Sequence, residues 1–268
     1  MGRCVFRRKF AALVRFKNLS QGTMNRDSMY TPESQEFIVR PRFFPPPELA
    51  DAEGVVGFGG KLLPEWLLDA YSHGIFPWPV VNETEILVWF SPDPRAIFEL
   101  ATIRPPRRLL STMRSGQFEV TCDRDFAAVI DGCAAARRDG GGTWITPALM
   151  VAFCRMHELG HAHSIEVWHD GKLAGGTYGI AIGGLFAAES MFYRVSNASK
   201  VALFCLINHL QARGFELFDI QQLTPHTKSL GACEIPRNEY LNRVKNAVRK
   251  SVSWGATLQS GLDVARGE

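Results

Sequence analysis

Apolar residues in the second half of the chain fall into short runs that predict strands. Three such runs cover residues 164–168, 173–182 and 185–192. The first two runs are separated by Asp170-Gly171, a pair suited to the positive φ angles of a tight hairpin turn. We therefore expect three consecutive strands, of which the first two form a hairpin.

Helices are predicted on both sides of these strands. Thr146 can cap the free amides of a helix whose first position, Pro147, has no amide to leave unsatisfied. A second helix covers residues 198–213 and ends at Gly214, and residues 215–223 return as a strand. The order helix, three strands, helix, strand predicts a mixed α+β fold in which the last strand is central.

The first half of the chain has weaker periodicity but the same mixture of elements. Residues 65–72 have helical spacing before Gly74, and residues 126–137 predict another helix. Residues 86–90 have the apolar pattern of a buried strand, and residues 96–100 predict a second strand. A basic helix over residues 237–250 is predicted near the end of the chain, with a frayed remainder.

Prolines and glycines mark the expected domain boundaries. The run Phe43-Phe44-Pro45-Pro46-Pro47 cannot continue a helix or a central strand, and Gly140-Gly141-Gly142 is a candidate hinge. The sequence thus predicts a basic, unstructured extension over residues 1–40, a small mixed α/β domain over 41–140, a larger domain over 141–250 and a tail over 251–268.

Composition and charge narrow the class of protein. Hydrophobic residues make up 46% of the 268 positions and charged residues 21%, as in globular proteins. Apolar stretches such as residues 180–188 are far shorter than the roughly 20 residues that a membrane-spanning helix needs. The six cysteines form no CxxC pair, so we expect no disulfide framework, no zinc knuckle and a reducing cytoplasm.

The net charge of +3 permits binding to nucleic acid without requiring it. Residues 1–26 contain seven Lys or Arg and no Asp or Glu, a composition of transit peptides and basic tails. The alternative is an unstructured extension upstream of a start site at Met24 or Met29. The sequence leaves both interpretations open.

A short pattern at His157-Glu158-Leu159-Gly160-His161 matches the HExxH signature of zinc proteases. That chemistry needs both histidines one turn apart on one helix, whereas Gly160 predicts that the helix stops between them. We therefore expect no metal at this pattern.

Glycine-rich segments and Ser190 also suggest chemistry that the surrounding residues do not support. Gly57-Phe58-Gly59-Gly60 and Gly175-Gly176 are neither a P-loop nor a complete GxGxxG, so tight turns and close packing explain them better. Ser190 lacks the flanking glycines of a nucleophile elbow.

Longer motifs are much more specific, and they occur in order from about residue 43 to residue 248. Together they resemble the leucyl/phenylalanyl-tRNA–protein transferase family. The motifs are His73-Gly74-Ile75-Phe76-Pro77-Trp78, Trp89-Phe90-Ser91-Pro92-Asp93-Pro94-Arg95, Thr143-Trp144-Ile145, 159–168, Glu189-Ser190-Met191-Phe192, Asn197-Ala198-Ser199-Lys200, Phe218-Asp219-Ile220-Gln221 and His226-Thr227-Lys228-Ser229-Leu230-Gly231.

Three positions depart from that family's pattern. Lys61 stands where an acidic residue is usual, Phe90 where a second Trp is usual, and Phe153 where a Tyr is expected. The first two should alter packing, while the third removes any contact made by the tyrosine hydroxyl.

The resemblance implies a GNAT-like (acetyltransferase-like) domain over residues 141–250 and transfer of an aminoacyl group without a cofactor. The α-amine of a protein with N-terminal Lys or Arg would attack the ester that joins Leu or Phe to tRNA, marking that protein for N-end-rule degradation. Donor use of Met is left open. A cytoplasmic monomer is expected.

The resemblance also implies roles for particular residues. Asp219 and Gln221 are the expected catalytic pair, and as alternate residues of one predicted strand they should share a face. Asp219 would orient Gln221, whose amide carbonyl would contact the amine; alternatively, the ribose hydroxyls of tRNA transfer the proton. Glu189 is the candidate carboxylate for the basic acceptor. Trp144 and Phe153 are expected near the terminal adenosine, and the donor pocket is expected to be lined by Phe186, Met191, Leu203, Leu206, Leu210 and Phe218.

Charge runs give the expected contacts with phosphate, at Arg104, Arg107, Arg108, Arg114, Arg243, Lys245, Arg249 and Lys250. Two other functions compete with aminoacyl transfer. An acyl-CoA-dependent N-acyltransferase would need a glycine-rich turn for pyrophosphate, where this chain has Ser196-Asn197-Ala198-Ser199-Lys200. A non-catalytic RNA-binding module would bind tRNA without transfer.

Overall fold

Ten strands form two sheets in the described part of the computed structural model, residues 41–80, 86–139 and 144–259. A three-stranded antiparallel sheet has the order β1-β3-β2, and a seven-stranded sheet has the order β10-β4-β9-β8-β7-β6-β5. The strands are β1 Val55–Phe58, β2 Phe76–Val80, β3 Ile86–Phe90, β4 Arg95–Phe98, β5 Glu119–Cys122, β6 Ala162–His169, β7 Lys172–Ile182, β8 Leu185–Tyr193, β9 Leu217–Asp219 and β10 Cys233–Ile235.

Seven α-helices and one 3-10 turn complete this part of the chain, which confirms the mixed α+β fold. The turn is Pro47–Leu49, and the helices are α1 Pro64–Ser72, α2 Arg107–Arg114, α3 Phe126–Asp139, α4 Pro147–Glu158, α5 Ala198–Arg213, α6 Pro225–Ser229 and α7 Arg237–Ala247. None of the described helices is long and apolar enough to cross a membrane.

Several local signals act as the sequence predicts. Asp170 and Gly171, with φ angles of 50° and 70°, turn the chain between β6 and β7. The Thr146 side chain accepts a hydrogen bond from the backbone of Leu149, 3.3 Å away, at the start of α4. Gly214 ends α5 in the left-handed conformation, with φ of 82°. The strand that follows, β9, takes an inner position, and β8 with β9 is the only parallel pair among the described strands of the larger sheet.

The larger sheet is covered on both faces by helices. A Cβ atom added at Gly175 would lie 2.8 Å from Cβ of Ala198 in α5, and one at Gly176 would lie 3.1 Å from Val129 in α3. Because consecutive strand residues point to opposite faces, α5 and α3 pack on opposite sides of β7. The glycine pair therefore serves close packing, as predicted.

The structure corrects three predicted elements. The strand expected over residues 215–223 ends at Asp219, and the helix expected over 237–250 ends at Ala247. Residues 251–259 are not frayed, because Trp254 among them is buried. The elements α2, β5, β10 and the small sheet's outer strands were not predicted, since they are short or contain proline.

The described helices and strands do not test the predicted domain boundaries. Strands β4 and β5 precede residue 140 and join the sheet formed mainly by later strands. All described residues belong to one compact unit, Arg40–Glu268. The extension over residues 1–40 and the hinge at Gly140-Gly141-Gly142, with Thr143, lie outside the described residues, so the division of the chain stays a prediction.

Candidate active site

Asp219, at the end of β9, is fully buried and accepts four hydrogen bonds. Arg95 donates two, from Nε to Oδ1 at 2.8 Å and from Nη2 to Oδ2 at 2.7 Å. The Tyr240 hydroxyl donates to Oδ2 at 2.8 Å, and the backbone N–H of Gln221 donates to Oδ1 at 2.9 Å. The carboxylate is therefore fully occupied by protein donors and acts as an anchor for the turn that follows.

Arg95 supplies the charge that makes this burial tolerable. Its Nη1 also donates to the Gly74 carbonyl at 3.0 Å, and its guanidinium lies 4.8 Å from the Phe76 ring centre and 4.3 Å from that of Tyr240. Burial alone would lower the pKa of Arg95, but the opposite charge of Asp219 leads the contributions that raise it overall. A buried charge with this many partners stays ionised and rigid.

Gln221 lies beyond the strand, which corrects the expectation that it shares a strand face with Asp219. Its φ of 57° is left-handed, an uncommon conformation for a residue other than glycine. The turn is fixed by the bond to Asp219 and by the Gln221 carbonyl, which accepts from the backbone of Ala96 at 3.2 Å. The two residues are thus brought together by a turn rather than by strand alternation.

The Gln221 side chain connects this turn to Glu189. Gln221 Nε2 donates to Glu189 Oε1 at 3.2 Å, and the Tyr71 hydroxyl donates to the same oxygen at 2.6 Å. Burial, followed by the charge of Glu189, raises the pKa of Tyr71, so the hydroxyl remains protonated as a donor. Because its amide nitrogen points to Glu189, Gln221 presents its amide oxygen on the other side.

A β-bulge places Glu189 in this network. In the β7–β8 pairing, Tyr178 lies opposite Ser190 and Gly179 lies opposite Ala188, so Glu189 is the extra residue. A Cβ atom at Gly179 would lie 2.7 Å from the Phe186 ring, so only glycine fits beside the bulge. The bulge re-aims one carboxylate without changing the strands on either side.

Trp144 stacks on Trp78, with ring centres 4.9 Å apart and planes at 18°. Trp144 is 9% exposed and Trp78 is half-buried, so the pair has an accessible aromatic edge. Sequence reasoning named Trp144 but not Trp78, although Trp78 ends one of the motifs quoted above. Phe153, expected beside Trp144, is instead fully buried, with its ring packed edge-on against Tyr178.

The expected donor pocket is packed in this structure. Five of its six predicted residues belong to one apolar core cluster and are at most 3% exposed: Phe186, Leu203, Leu206, Leu210 and Phe218. Met191 alone is partly exposed. The stripe of leucines on α5 is therefore core here, and its contact with a donor side chain stays a prediction.

Two cavities lie away from this network. One of about 540 Å³ is lined by Asp123, His161, His163 and Trp254, among others. The other, of about 490 Å³, lies on α2 between Arg107 and Arg114. Neither is lined by Asp219 or Gln221.

The basic residues predicted to contact phosphate differ in whether a carboxylate pairs with them. Arg104, Arg107, Arg108 and Arg114 are exposed, all on or just before α2. Arg243 instead pairs with Glu99 at 2.5 Å and with Glu239 at 2.6 Å, and Lys250 pairs with Glu216 at 3.0 Å. The α2 region is therefore the better candidate surface for phosphate.

Comparison with known proteins adds independent evidence. Residues 97–245 match the family profile described as leucyl/phenylalanyl-tRNA protein transferase, and residues 60–93 match the profile of that transferase's N-terminal domain. A leucyl/phenylalanyl-tRNA–protein transferase of Azoarcus sp. (strain BH72) is 53% identical over 82% of this chain and 95% of its own length. That of Edwardsiella ictaluri (strain 93-146) is 48% identical over 82% and 90%.

Solved structures give only a distant likeness. A conserved protein of unknown function from Bacteroides thetaiotaomicron VPI-5482 has a TM-score of 0.33 at 12% identity, over 59% of this chain and 56% of that one. Such a likeness supports no argument about fold. The family profiles and the relatives, in contrast, confirm the resemblance inferred from the motifs, and this chain belongs to the leucyl/phenylalanyl-tRNA–protein transferase family.

Proposed function

We propose that this chain transfers Leu or Phe from charged tRNA to the α-amine of proteins with N-terminal Lys or Arg, which marks them for N-end-rule degradation. The observation that supports this most strongly is the match to relatives named as such transferases, at 53% identity over 82% of the chain. The enzyme is thus an aminoacyltransferase, and the hydrogen-bond network around Gln221 is its proposed centre.

In this reaction the amine nitrogen attacks the ester carbonyl of the aminoacyl group. The new C–N bond forms, the ester C–O bond breaks, and the tRNA ribose oxygen leaves with the proton that the amine loses. The ester is already activated, and no electrons are transferred, so the step needs no redox cofactor. The protein must align the reactants, accept an amine proton transiently or relay it, and stabilise the oxyanion.

Asp219 acts in this proposal as a positioning residue. With four donors and no exposure, its carboxylate does not reach the substrates. It holds the Gln221 backbone, and the Glu189 carboxylate holds the Gln221 amide nitrogen. The free face of the Gln221 amide oxygen is then preorganised to accept a hydrogen bond from the attacking amine. Transfer of the proton itself by the tRNA ribose hydroxyls is compatible with this arrangement.

Glu189 gives the site negative charge for a basic acceptor. It is buried to 9% exposure and already accepts bonds from Tyr71 and Gln221. A Lys or Arg side chain of the acceptor would complement this charge at short range.

Trp144 and Trp78 are proposed to bind the terminal adenosine by stacking, which contributes about 1–3 kcal/mol per base. Phe153 would support this region from within the core, since it is fully buried. We propose that the donor side chain enters beside Met191, the partly exposed predicted pocket residue, and displaces neighbouring core side chains of α5.

The tRNA backbone is assigned to the exposed arginines of the α2 region, so binding should weaken with salt. A GNAT-like arrangement of residues 141–250, a cytoplasmic location and a monomeric state complete the proposal. The parallel β8–β9 pair within a mainly antiparallel sheet is the feature of this fold that supports the GNAT-like assignment.

The test uses tRNA charged with labelled Leu and two peptides, one beginning with Arg and one with Ala. Label should reach only the peptide that begins with Arg. Transfer from an acyl-CoA instead would favour the N-acyltransferase, and binding of charged tRNA with no transfer to either peptide would favour the RNA-binding module.

A further inference from the structure

Three side chains outside the candidate active site converge where β5 ends, α4 ends and β6 begins. They are Asp123, His157 and His163, and each offers a ligand atom within 4.8 Å of the other two. Asp123 Oδ2 lies 2.8 Å from His163 Nδ1, and Asp123 Oδ1 lies 3.9 Å from His157 Nδ1. Two imidazoles and a carboxylate are a common set of ligands for transition metals.

The His163 ring can take the tautomer that metal coordination needs. Its Nδ1 faces the Asp123 carboxylate, and its Nε2 faces the Gly160 carbonyl at 3.2 Å. Both partners are acceptors, but a neutral imidazole has a single N–H. When Nε2 carries the hydrogen and donates to the carbonyl, as in many metal sites, the Nδ1 lone pair faces Asp123 and is available to a metal ion.

The separations suit a metal after small side-chain rotations. Zinc binds nitrogen and carboxylate oxygen at about 2.0–2.2 Å, so two ligands in a tetrahedral shell lie roughly 3.4 Å apart. The observed 2.8 Å and 3.9 Å fall on either side of that value. The side chain of His157 is 29% exposed, which leaves it room to rotate toward the other two ligands. Coordination by His157 Nδ1 would replace its present contact with the Ala162 carbonyl, 2.8 Å away.

The surroundings provide both support and access. The Ser164 backbone donates to Asp123 Oδ1 at 2.8 Å, and Trp254 stacks on the His163 ring at 4.6 Å, so two of the ligands are held in place. Asp123 and His163 also line the cavity of about 540 Å³, which leaves space for a water molecule or another ligand.

We propose that Asp123, His157 and His163 bind one divalent transition-metal ion of the zinc type. The ion would join the ends of β5 and α4 to the start of β6. This site uses only the first histidine of the HExxH pattern, because α4 ends at Glu158 and Gly160 has a φ of 78°, which turns His161 away from His157. His161 lines the same cavity but is not part of the cluster.

The test uses the full chain, prepared without a polyhistidine tag and freed of metal by chelation. Binding of Zn²⁺ is measured by calorimetry, and binding of Co²⁺ by visible absorption. We expect one ion per chain, cobalt absorption bands typical of nitrogen and oxygen ligands, and a higher Tm with Zn²⁺. His157→Gln, His163→Gln and Asp123→Asn should each weaken binding by about tenfold or more. His161→Gln is the matched control and should leave the affinity unchanged.

Two results would overturn the proposal. One is the absence of saturable Zn²⁺ or Co²⁺ binding to the wild-type chain, which would mean that a proton alone joins His163 and Asp123. The other is binding that His161→Gln weakens as much as His163→Gln does, which would place the ion at the HExxH pattern. If a cluster variant fails to unfold cooperatively, the cobalt spectrum and stoichiometry of the wild-type chain decide.

Discussion

Two aspartates lie at strand ends, and their surroundings differ sharply. Asp219 after β9 has a fully buried side chain that accepts four hydrogen bonds, two of them from the guanidinium of Arg95. The Asp123 side chain, just after β5, is 24% exposed beside a cavity and faces two histidines. Asp219 accepts the backbone N–H of Gln221 in its own turn, whereas Asp123 accepts that of Ser164 on the neighbouring strand β6. A carboxylate whose acceptor positions are filled can only orient its neighbours, whereas one beside open space can still bind something new.

Removal of Arg95 should give the largest effect. Arg95→Met leaves the Asp219 charge buried and unpaired, and the free energy of unfolding should fall by about 3–5 kcal/mol. Urea unfolding measures this. The added Asp219→Asn substitution should recover part of the loss, since the orphaned charge is gone. The exposed pair of Arg155 with Glu158 is the control, because Arg155→Gln should cost no more than about 1 kcal/mol. An equal effect of the two arginine substitutions would contradict the comparison.

Gln221→Asn should reduce catalysis with little effect on folding. Asn tolerates the positive φ at this position but is too short to keep the bond to Glu189. We expect single-turnover transfer to slow by about 100-fold, or roughly 2.7 kcal/mol, while unfolding changes by less than about 1 kcal/mol. Gln222→Ala, one residue later, is the control for the turn. A rate within about threefold of wild type would exclude a catalytic role for Gln221.

Acid should destabilise the region around the Asp123 cluster through His209. Burial lowers the pKa of His209 to about 4, and its Nδ1 accepts from the backbone of Gln259. A histidine whose pKa is lower in the folded than in the unfolded protein contributes its full stabilisation above the unfolded pKa, near 6.5. That contribution to the free energy of unfolding is lost as pH falls toward 4, by at most about 1.4 kcal/mol per pH unit. His209→Asn keeps an acceptor without titrating, so its stability should fall less between pH 6.5 and 4. If the free energy of unfolding depends on pH identically in the wild type and in His209→Asn, His209 is excluded as the cause of the acid destabilisation.

The smallest effects should come from the exposed arginines. Arg107→Gln and Arg114→Gln each remove one phosphate contact, so the salt dependence of tRNA binding should decrease by about 0.7–0.9 in log–log slope per substitution. Arg155→Gln serves as the control for loss of an exposed charge. A slope unchanged by both α2 substitutions would place the tRNA backbone elsewhere.

Local signals in the sequence predicted elements well where the residue itself determines the geometry. Thr146, Asp170-Gly171 and Gly214 all set helix or turn geometry through their own backbone or side-chain chemistry, and all behave as expected. The motif resemblance likewise brought Asp219, Gln221 and Glu189 together correctly as neighbours.

Tertiary contacts explain what the sequence could not reveal. Arg95 is 124 positions from Asp219, so nothing local links them. His163, rather than the HExxH partner His161, meets His157 because the chain reverses at Gly160. Trp254 lies in a segment without helix or strand periodicity, yet it is buried between His163 and Phe186. Leucines on α5 have the same spacing whether they line a pocket or fill a core.

The extra residue at Glu189 has one more consequence for anyone altering this protein. From Ser190 to Tyr193, each β8 side chain lies on the opposite face of the sheet from the one that an uninterrupted strand would give it. Deleting Glu189 would leave Ser190, Met191 and Phe192 opposite their present β7 partners and on their present faces. Pairing Glu189 within a regular strand would instead turn all three onto opposite faces of the sheet. Length at this point is therefore as informative as residue identity when orthologues or designs are compared.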